Sequence, residues 1–122
     1  MQALVIDDSR AVRRIIGNIM KELGYEVIEA GNGLEGLAQL EVHPNPDIIL
    51  VDWNMPEMNG LEFIKAARKR AESAALPIMM VTTETEMDRM AQAFVAGVNE
   101  YVMKPFDRET ILEKLQLLGI GA

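Results

Sequence analysis

The run Ile48-Ile49-Leu50-Val51, closed by Asp52, constrains the fold more than any other stretch. Four aliphatic residues in a row make a buried strand, and a carboxylate at the end of one is tolerated only where it meets solvent, a metal ion or another charge. Asp52 is therefore the first functional candidate. Met55-Pro56 ends regular structure at once, and Asn59 with Glu62 three residues later reads as a capping box that opens a helix. A buried strand thus carries one acid to the mouth of a loop, and a helix leaves that loop.

The same plan recurs along the chain. Ala3-Leu4-Val5-Ile6 closes on Asp7-Asp8, and Ser9 can cap a helix whose Val12, Ile15, Ile16, Ile19 and Leu23 share one face up to Gly24. Tyr25 to Ala30 reads as a second strand, and Leu34, Leu37 and Leu40 mark a helix ending near His43-Pro44. After the central strand comes a helix through Leu61, Ile64, Ala67 and Arg68, then a fourth strand, Pro77 to Val81, ending in Thr82-Thr83. Thr85 with Asp88 suggests a capped fourth helix carried by Met87, Met90, Ala91 and Phe94 and stopped by Gly97. Tyr101-Val102-Met103 is a brief fifth strand running into Lys104-Pro105. Asp107 caps a last helix with Ile111, Leu112, Leu115 and Leu118 inward and Gly119 at its end. Five strands alternating with five helices predict an α/β fold: one domain over 1–122, a doubly wound five-stranded parallel sheet with helices on both faces.

At 122 residues the chain has room for one core. Its net charge of -7 is wrong for gripping a phosphate backbone, so no direct nucleic-acid partner is expected. No basic segment precedes an apolar run and no run reaches spanning length, so membrane insertion is not expected either. The absence of cysteine suits a reducing cytoplasm, and the nine methionines read as core and interface filler.

In a parallel sheet the C-terminal ends of all strands share one edge, where ligands bind. That edge should collect Asp7 and Asp8 from the first strand, Asp52 from the third, Thr82 from the fourth and Lys104 from the fifth. Three carboxylates held together raise one another's pKa unless a cation lies among them. A hard divalent ion is the resolution, and Mg2+ fits best because it keeps waters and accepts few carboxylates. A carboxylate can also attack phosphorus to give an aspartyl phosphate, and Asp52, alone on the middle strand, is the nucleophile of choice. Lys104 and the Thr82 hydroxyl would neutralise and orient the phosphoryl oxygens. Taken singly, Lys104 reads as an ion-pair partner and Thr82 as a hydroxyl bonded to backbone; their joint placement favours the chemistry.

Asp7-Asp8, Asp52-Trp53-Asn54-Met55-Pro56 with Gly60, Thr82, Tyr101 and Lys104-Pro105-Phe106 resemble, in this order and across essentially the whole chain, the receiver domain of two-component response regulators. Within that family the similarity is greatest to the stand-alone, CheY-like chemotaxis members. The resemblance implies the flavodoxin-like strand order 2-1-3-4-5 and a phosphoacceptor, Asp52, charged by the phosphohistidine of a partner histidine kinase. It implies Mg2+ on Asp8, Asp52 and the backbone carbonyl of Asn54, with Asp7 acting through water. Lys104, ahead of a cis peptide bond to Pro105, would contact the phosphoryl oxygens. Thr82 would move toward the phosphoryl group and Tyr101 would swing inward behind it, changing the surface of the fourth helix, fifth strand and fifth helix. Asn54 and Glu84, two residues beyond Asp52 and Thr82, occupy positions that tune the phosphoryl lifetime.

The implied protein is a cytoplasmic, monomeric switch rather than an enzyme, catalysing only its own phosphorylation and dephosphorylation. It would be served by a chemotaxis kinase and bind the flagellar motor switch protein. Alternatives within the family are a single-domain relay intermediate or a receiver that is part of a larger regulator. Two positions depart from the family pattern: Thr83 replaces a smaller residue and should narrow access to Asp52, whereas Asn59 replaces a frequent Asp and caps a helix about as well.

Three features point elsewhere. Gly31-Asn32-Gly33-Leu34-Glu35-Gly36 spells G-x-G-x-x-G after a strand, with Asp52 near the spacing of a ribose-binding acid, yet a complete acid-ended unit precedes it and no second mononucleotide half follows. An Asp-nucleophile phosphatase would place a second Asp two residues on, where Asn54 stands. His43, the only histidine, precedes the strand that Asp52 ends, so a strand of ~5 residues at ~3.3 Å each keeps the two on opposite edges.

Overall fold

A computed structural model describes residues 1–120. Five strands and five helices alternate: β1 Gln2–Ile6, α1 Arg10–Glu22, β2 Glu26–Ala30, α2 Gly33–Val42, β3 Ile48–Val51, α3 Gly60–Lys69, β4 Ile78–Thr82, α4 Met87–Ala96, β5 Glu100–Met103 and α5 Arg108–Leu117. A 3-10 turn at Ala71–Ser73 follows α3. All strand pairs are parallel and the sheet order is β2-β1-β3-β4-β5. This is the doubly wound, flavodoxin-like architecture expected of the sequence.

The central strands are buried on both faces, which is why they lack polar alternation. Side chains from successive positions enter two separate cores. Leu4, Ile6, Ile49, Val51, Ile78 and Met80 meet Phe63, Ile64 and Ala67 on one face, while Ala3, Val5, Ile48, Leu50, Met79 and Val81 meet Ile16, Met20, Ile111 and Leu115 on the other. The two-residue period of the strand divides each apolar run between the two cores.

Helix starts follow the capping chemistry. Ser9, Asn32, Asn59 and Asp107 each accept a hydrogen bond from a backbone N–H in the first turn, and Asn59 and Glu62 form a complete capping box. The fourth helix differs from expectation: its N-cap is Glu86, which makes no side-chain capping bond, and Thr85 plays no such part. Its facing differs too. Ala93 is the buried residue, whereas Met87 is 83% exposed and Phe94 46%. The ring of Phe94 packs instead at 6.3 Å from that of Tyr101. In α1, Ile15 likewise faces solvent and Met20 takes the inward position.

The glycines of the G-x-G-x-x-G stretch serve packing. A Cβ on Gly33 would stand 2.6 Å from Cγ of Met58, and one on Gly36 would stand 2.6 Å from Cδ1 of Ile6. The backbone N–H of Gly31, where a pyrophosphate would approach, donates at 3.0 Å to the carboxylate of Glu35. The Glu35 carboxylate thus takes up the N–H that a pyrophosphate would need, which counts against the dinucleotide alternative. His43 is the C-cap of α2, at the opposite edge of the sheet from Asp52.

Candidate functional site

Backbone ladder bonds continue one residue past the strand ends and so aim the side chains that follow. Asp7 N–H donates to the carbonyl of Ala30 at 3.1 Å, Asp52 N–H to that of Ile6 at 3.0 Å, and Lys104 N–H to that of Thr82 at 2.9 Å. β1 and β3 are neighbours, with Ile6 opposite Val51, so Asp7 and Asp52 emerge side by side. One carboxylate oxygen from each of Asp7, Asp8 and Asp52 lies within 4.8 Å of the others. Asp7 is 1% exposed and Asp52 7%, while Asp8 faces solvent, so the cluster is a pocket with one open side.

Lys104 enters from β5. Its Nζ donates to Oδ2 of Asp7 at 2.8 Å and lies 3.3 Å from Oδ2 of Asp52. Burial pushes the Asp7 carboxyl above its ordinary value, against the pull of hydrogen bonds from Lys104 and from the Ser9 N–H. Burial alone would lower Lys104, but its bond to Asp7 and the charges of Asp52 and Asp7 outweigh it and leave the ammonium raised. The remaining Asp52 oxygen, Oδ1, accepts the Trp53 N–H at 2.7 Å. One lysine thus faces three acids, an imbalance that a divalent cation with oxygen ligands would relieve.

The loop from Trp53 to Asn59 leaves β3 and folds back at once. Gly60 N–H donates to the Trp53 carbonyl at 2.9 Å, and a Cβ on Gly60 would run into the carbonyl of Asp52, so only glycine fits. Asn54 lies exposed in this loop, two residues past Asp52.

On the other side, Thr82 is fully buried at the end of β4, and its Oγ1 accepts the Glu84 N–H at 3.3 Å. The ring of Tyr101 is already inside, 7% exposed, with its hydroxyl donating to the Glu84 carbonyl at 2.7 Å. Burial, then the charges of Glu84 and Asp52, push its phenol up to about 12. Thr83 is exposed at the lip, and the Lys104-Pro105 bond is cis.

Two arginines at the site have no signal in the sequence. Arg13 donates from Nη1 to the Asp7 carbonyl at 2.6 Å while pairing with Glu29 at 3.0 Å. Arg89 pairs with Glu84 at 3.1 Å and lies over the Trp53 ring, 5.9 Å from its centroid. Neither pairing follows a helical spacing, since each joins separate elements.

A parallel sheet that presents an acidic pocket with a buried lysine at its C-terminal edge, between a β3–α3 loop and a hydroxyl at the end of β4, has counterparts among known proteins. The defining pattern of the response regulator receiver domain matches residues 3–116, and the chain belongs to that family. Its relatives include chemotaxis proteins. It is 43% identical to chemotaxis protein CheY1 of Helicobacter pylori over 119 residues, 97% of this chain and 96% of that protein. The structure of Vibrio cholerae CheY4 superposes with a TM-score of 0.89 at 37% identity, covering 95% of this chain and 96% of the other. The CheX-CheY-BeF3-Mg2+ complex of Borrelia burgdorferi shares the fold, with a TM-score of 0.91 at 22% identity over 98% of this chain and 90% of that one. The chain is thus a CheY-like receiver domain, a signalling protein rather than an enzyme.

Proposed function

We propose that the chain is a Mg2+-dependent phosphoacceptor switch of chemotaxis, charged on Asp52 by a histidine kinase. The observation that carries this reading is the convergence of Asp7, Asp8, Asp52 and Lys104 on one pocket from strands far apart in sequence. Asp8 and Asp52, with the backbone carbonyl of Asn54, would hold the ion, and Asp7 would act through a water. Bound there, Mg2+ would supply charge neutralisation for the phosphoryl oxygens.

The side chains then divide the remaining work. An Asp52 carboxylate oxygen forms the O–P bond as the donor imidazole departs with the electron pair of the P–N bond. The Lys104 ammonium turns from Asp52 to the phosphoryl oxygens, with the Thr82 hydroxyl as a second donor. Hydrolysis returns the carboxylate when water attacks phosphorus, the Asp52 O–P bond breaks with its electron pair left on the carboxylate and inorganic phosphate departs; Asn54 and Glu84 tune its rate. Thr82 and Tyr101 transmit the event to the surface of α4, β5 and α5. The switch acts by shifting a population of conformations and hence partner affinity.

The relatives that the chain matches nearly end to end are chemotaxis proteins, which favours a chemotaxis kinase as donor and the flagellar motor switch as target over a relay role. On the same ground we place it in the cytoplasm; no described helix is long and apolar enough to cross a membrane.

Incubation with acetyl phosphate and Mg2+, followed by intact-mass spectrometry, should show one acid-labile phosphoryl group that is absent in Asp52→Asn. Incorporation that persists in Asp52→Asn would contradict the assignment. Glu84→Ala should change the decay rate of that group while leaving Mg2+ affinity nearly unaltered.

A further inference from the structure

The loop between β4 and α4 is held by a single residue, Glu84, whose backbone and side-chain groups each meet a different part of the site. Its N–H donates to Thr82, its carbonyl accepts from Tyr101, and its carboxylate accepts the Glu86 N–H at 3.1 Å through Oε1 and Arg89 Nη1 at 3.1 Å through Oε2. Arg89 in turn lies against the indole of Trp53, the residue whose N–H is bonded to the Asp52 carboxylate. A second carboxylate, Glu86, lies 3.8 Å from Arg89 Nε.

We infer that Arg89 is a positioning residue of the switch: by clamping Glu84 while resting on Trp53, it fixes the β4–α4 loop beside Asp52 and keeps Tyr101 inward. This rests on the phosphoacceptor reading above.

An isolated surface ion pair would do little, because solvent screening and side-chain entropy offset its attraction. The Glu84 side chain, however, is only 13% exposed, and the same Arg89 guanidinium, itself 46% exposed, also lies 5.9 Å from the centroid of the Trp53 ring. The planar guanidinium can donate within its plane to a carboxylate while stacking flat on an indole, which a lysine ammonium cannot do. The clamp joins the two sides of the pocket, the β3–α3 loop through Trp53 and the β4–α4 loop through Glu84. Tyr101 gains its inward bond from the same Glu84 backbone, so loosening the carboxylate loosens the phenol's acceptor.

The chain holds two tyrosines, Tyr25 and Tyr101, so 3-fluorotyrosine labelling gives two resonances, assigned with Tyr25→Phe. Arg89→Ala should shift and broaden the Tyr101 resonance and leave that of Tyr25 in place, with Arg89→Lys between the two. High salt should move the wild-type Tyr101 signal toward the variant's position. In a Glu84→Ala background, Arg89→Ala should have no further effect. The initial rate of phosphoryl incorporation from acetyl phosphate should fall about fivefold in Arg89→Ala, the size of a modest population shift. An unmoved Tyr101 resonance, an unchanged rate, or an equal effect without Glu84 overturns the clamp while the phosphoacceptor reading stands. No phosphoryl group on the wild-type chain overturns both.

Discussion

Lys104 is the residue on which the pocket's charge balance turns. Its ammonium bridges Asp7 and Asp52, so it occupies space near the carboxylates that a cation would share and, on the proposed function, would turn toward an incoming phosphoryl group. Lys104→Ala should lower the phosphorylation rate by about 100-fold, as loss of a donor to developing charge does, while Mg2+ binds no more weakly, since a competing positive charge has gone. Rates from acetyl phosphate and a Mg2+ titration of the same variant check the two halves. Tyr101 offers a pH test. Its phenol is held at about 12 against an ordinary 10.0. A folded-state pKa above the unfolded one means that the stabilisation is complete below pH 10 and is lost as pH rises toward 12. The stability difference between wild type and Tyr101→Phe should therefore be constant up to about pH 10 and shrink above it, as followed by urea unfolding.

At the scale of elements, two devices hold turns of the fold, one beside the site and one at the opposite edge of the sheet. Glu57, in the turn after Asp52, has φ 67°, a left-handed conformation that disfavours a side chain. Glu57→Gly should stabilise the protein by about 1 kcal/mol in urea unfolding, because the native backbone then carries no Cβ penalty. Arg68 is the second device. With no carboxylate partner among the described residues, its guanidinium donates to the carbonyls of Ser73, Leu76 and Gly97 and to the side-chain oxygen of Asn99, tying α3 to the turns that lead into β4 and β5. Gly97 must be glycine there: its φ is 119° and a Cβ would stand 2.8 Å from Arg68 Nε. Arg68→Leu should cost about 2 kcal/mol by orphaning these acceptors.

Elements of this kind also mark where sequence reading succeeds and fails. Strands β1 and β3 were legible because a parallel sheet buried on both faces demands unbroken apolar runs, and the convergence of Asp7, Asp8 and Asp52 follows from parallel geometry alone. The facing of α4 was not legible. Met87 and Phe94 fit an inward 3.6-residue stripe as well as Ala93 does, and which of them turns inward is settled by tertiary packing that periodicity does not encode. The Arg89 clamp was hidden because it depends on how two loops from different strands meet.

Taken whole, the molecule is a parallel sheet that brings three carboxylates together at one edge. A ligand that binds only the folded pocket should therefore stabilise the entire domain. At a Mg2+ concentration about 100-fold above its Kd the gain should be about 2.7 kcal/mol, visible as a raised Tm, whereas NAD should produce no shift. The measurement that reaches the central claim most directly is a Mg2+ titration followed by the fluorescence of Trp53, the only tryptophan, which adjoins Asp52 and is bonded to it. A saturable one-site change in the wild type that is weakened at least tenfold in Asp8→Asn is the predicted result. A wild-type signal that ignores Mg2+, or one that Asp8→Asn leaves untouched, would contradict it.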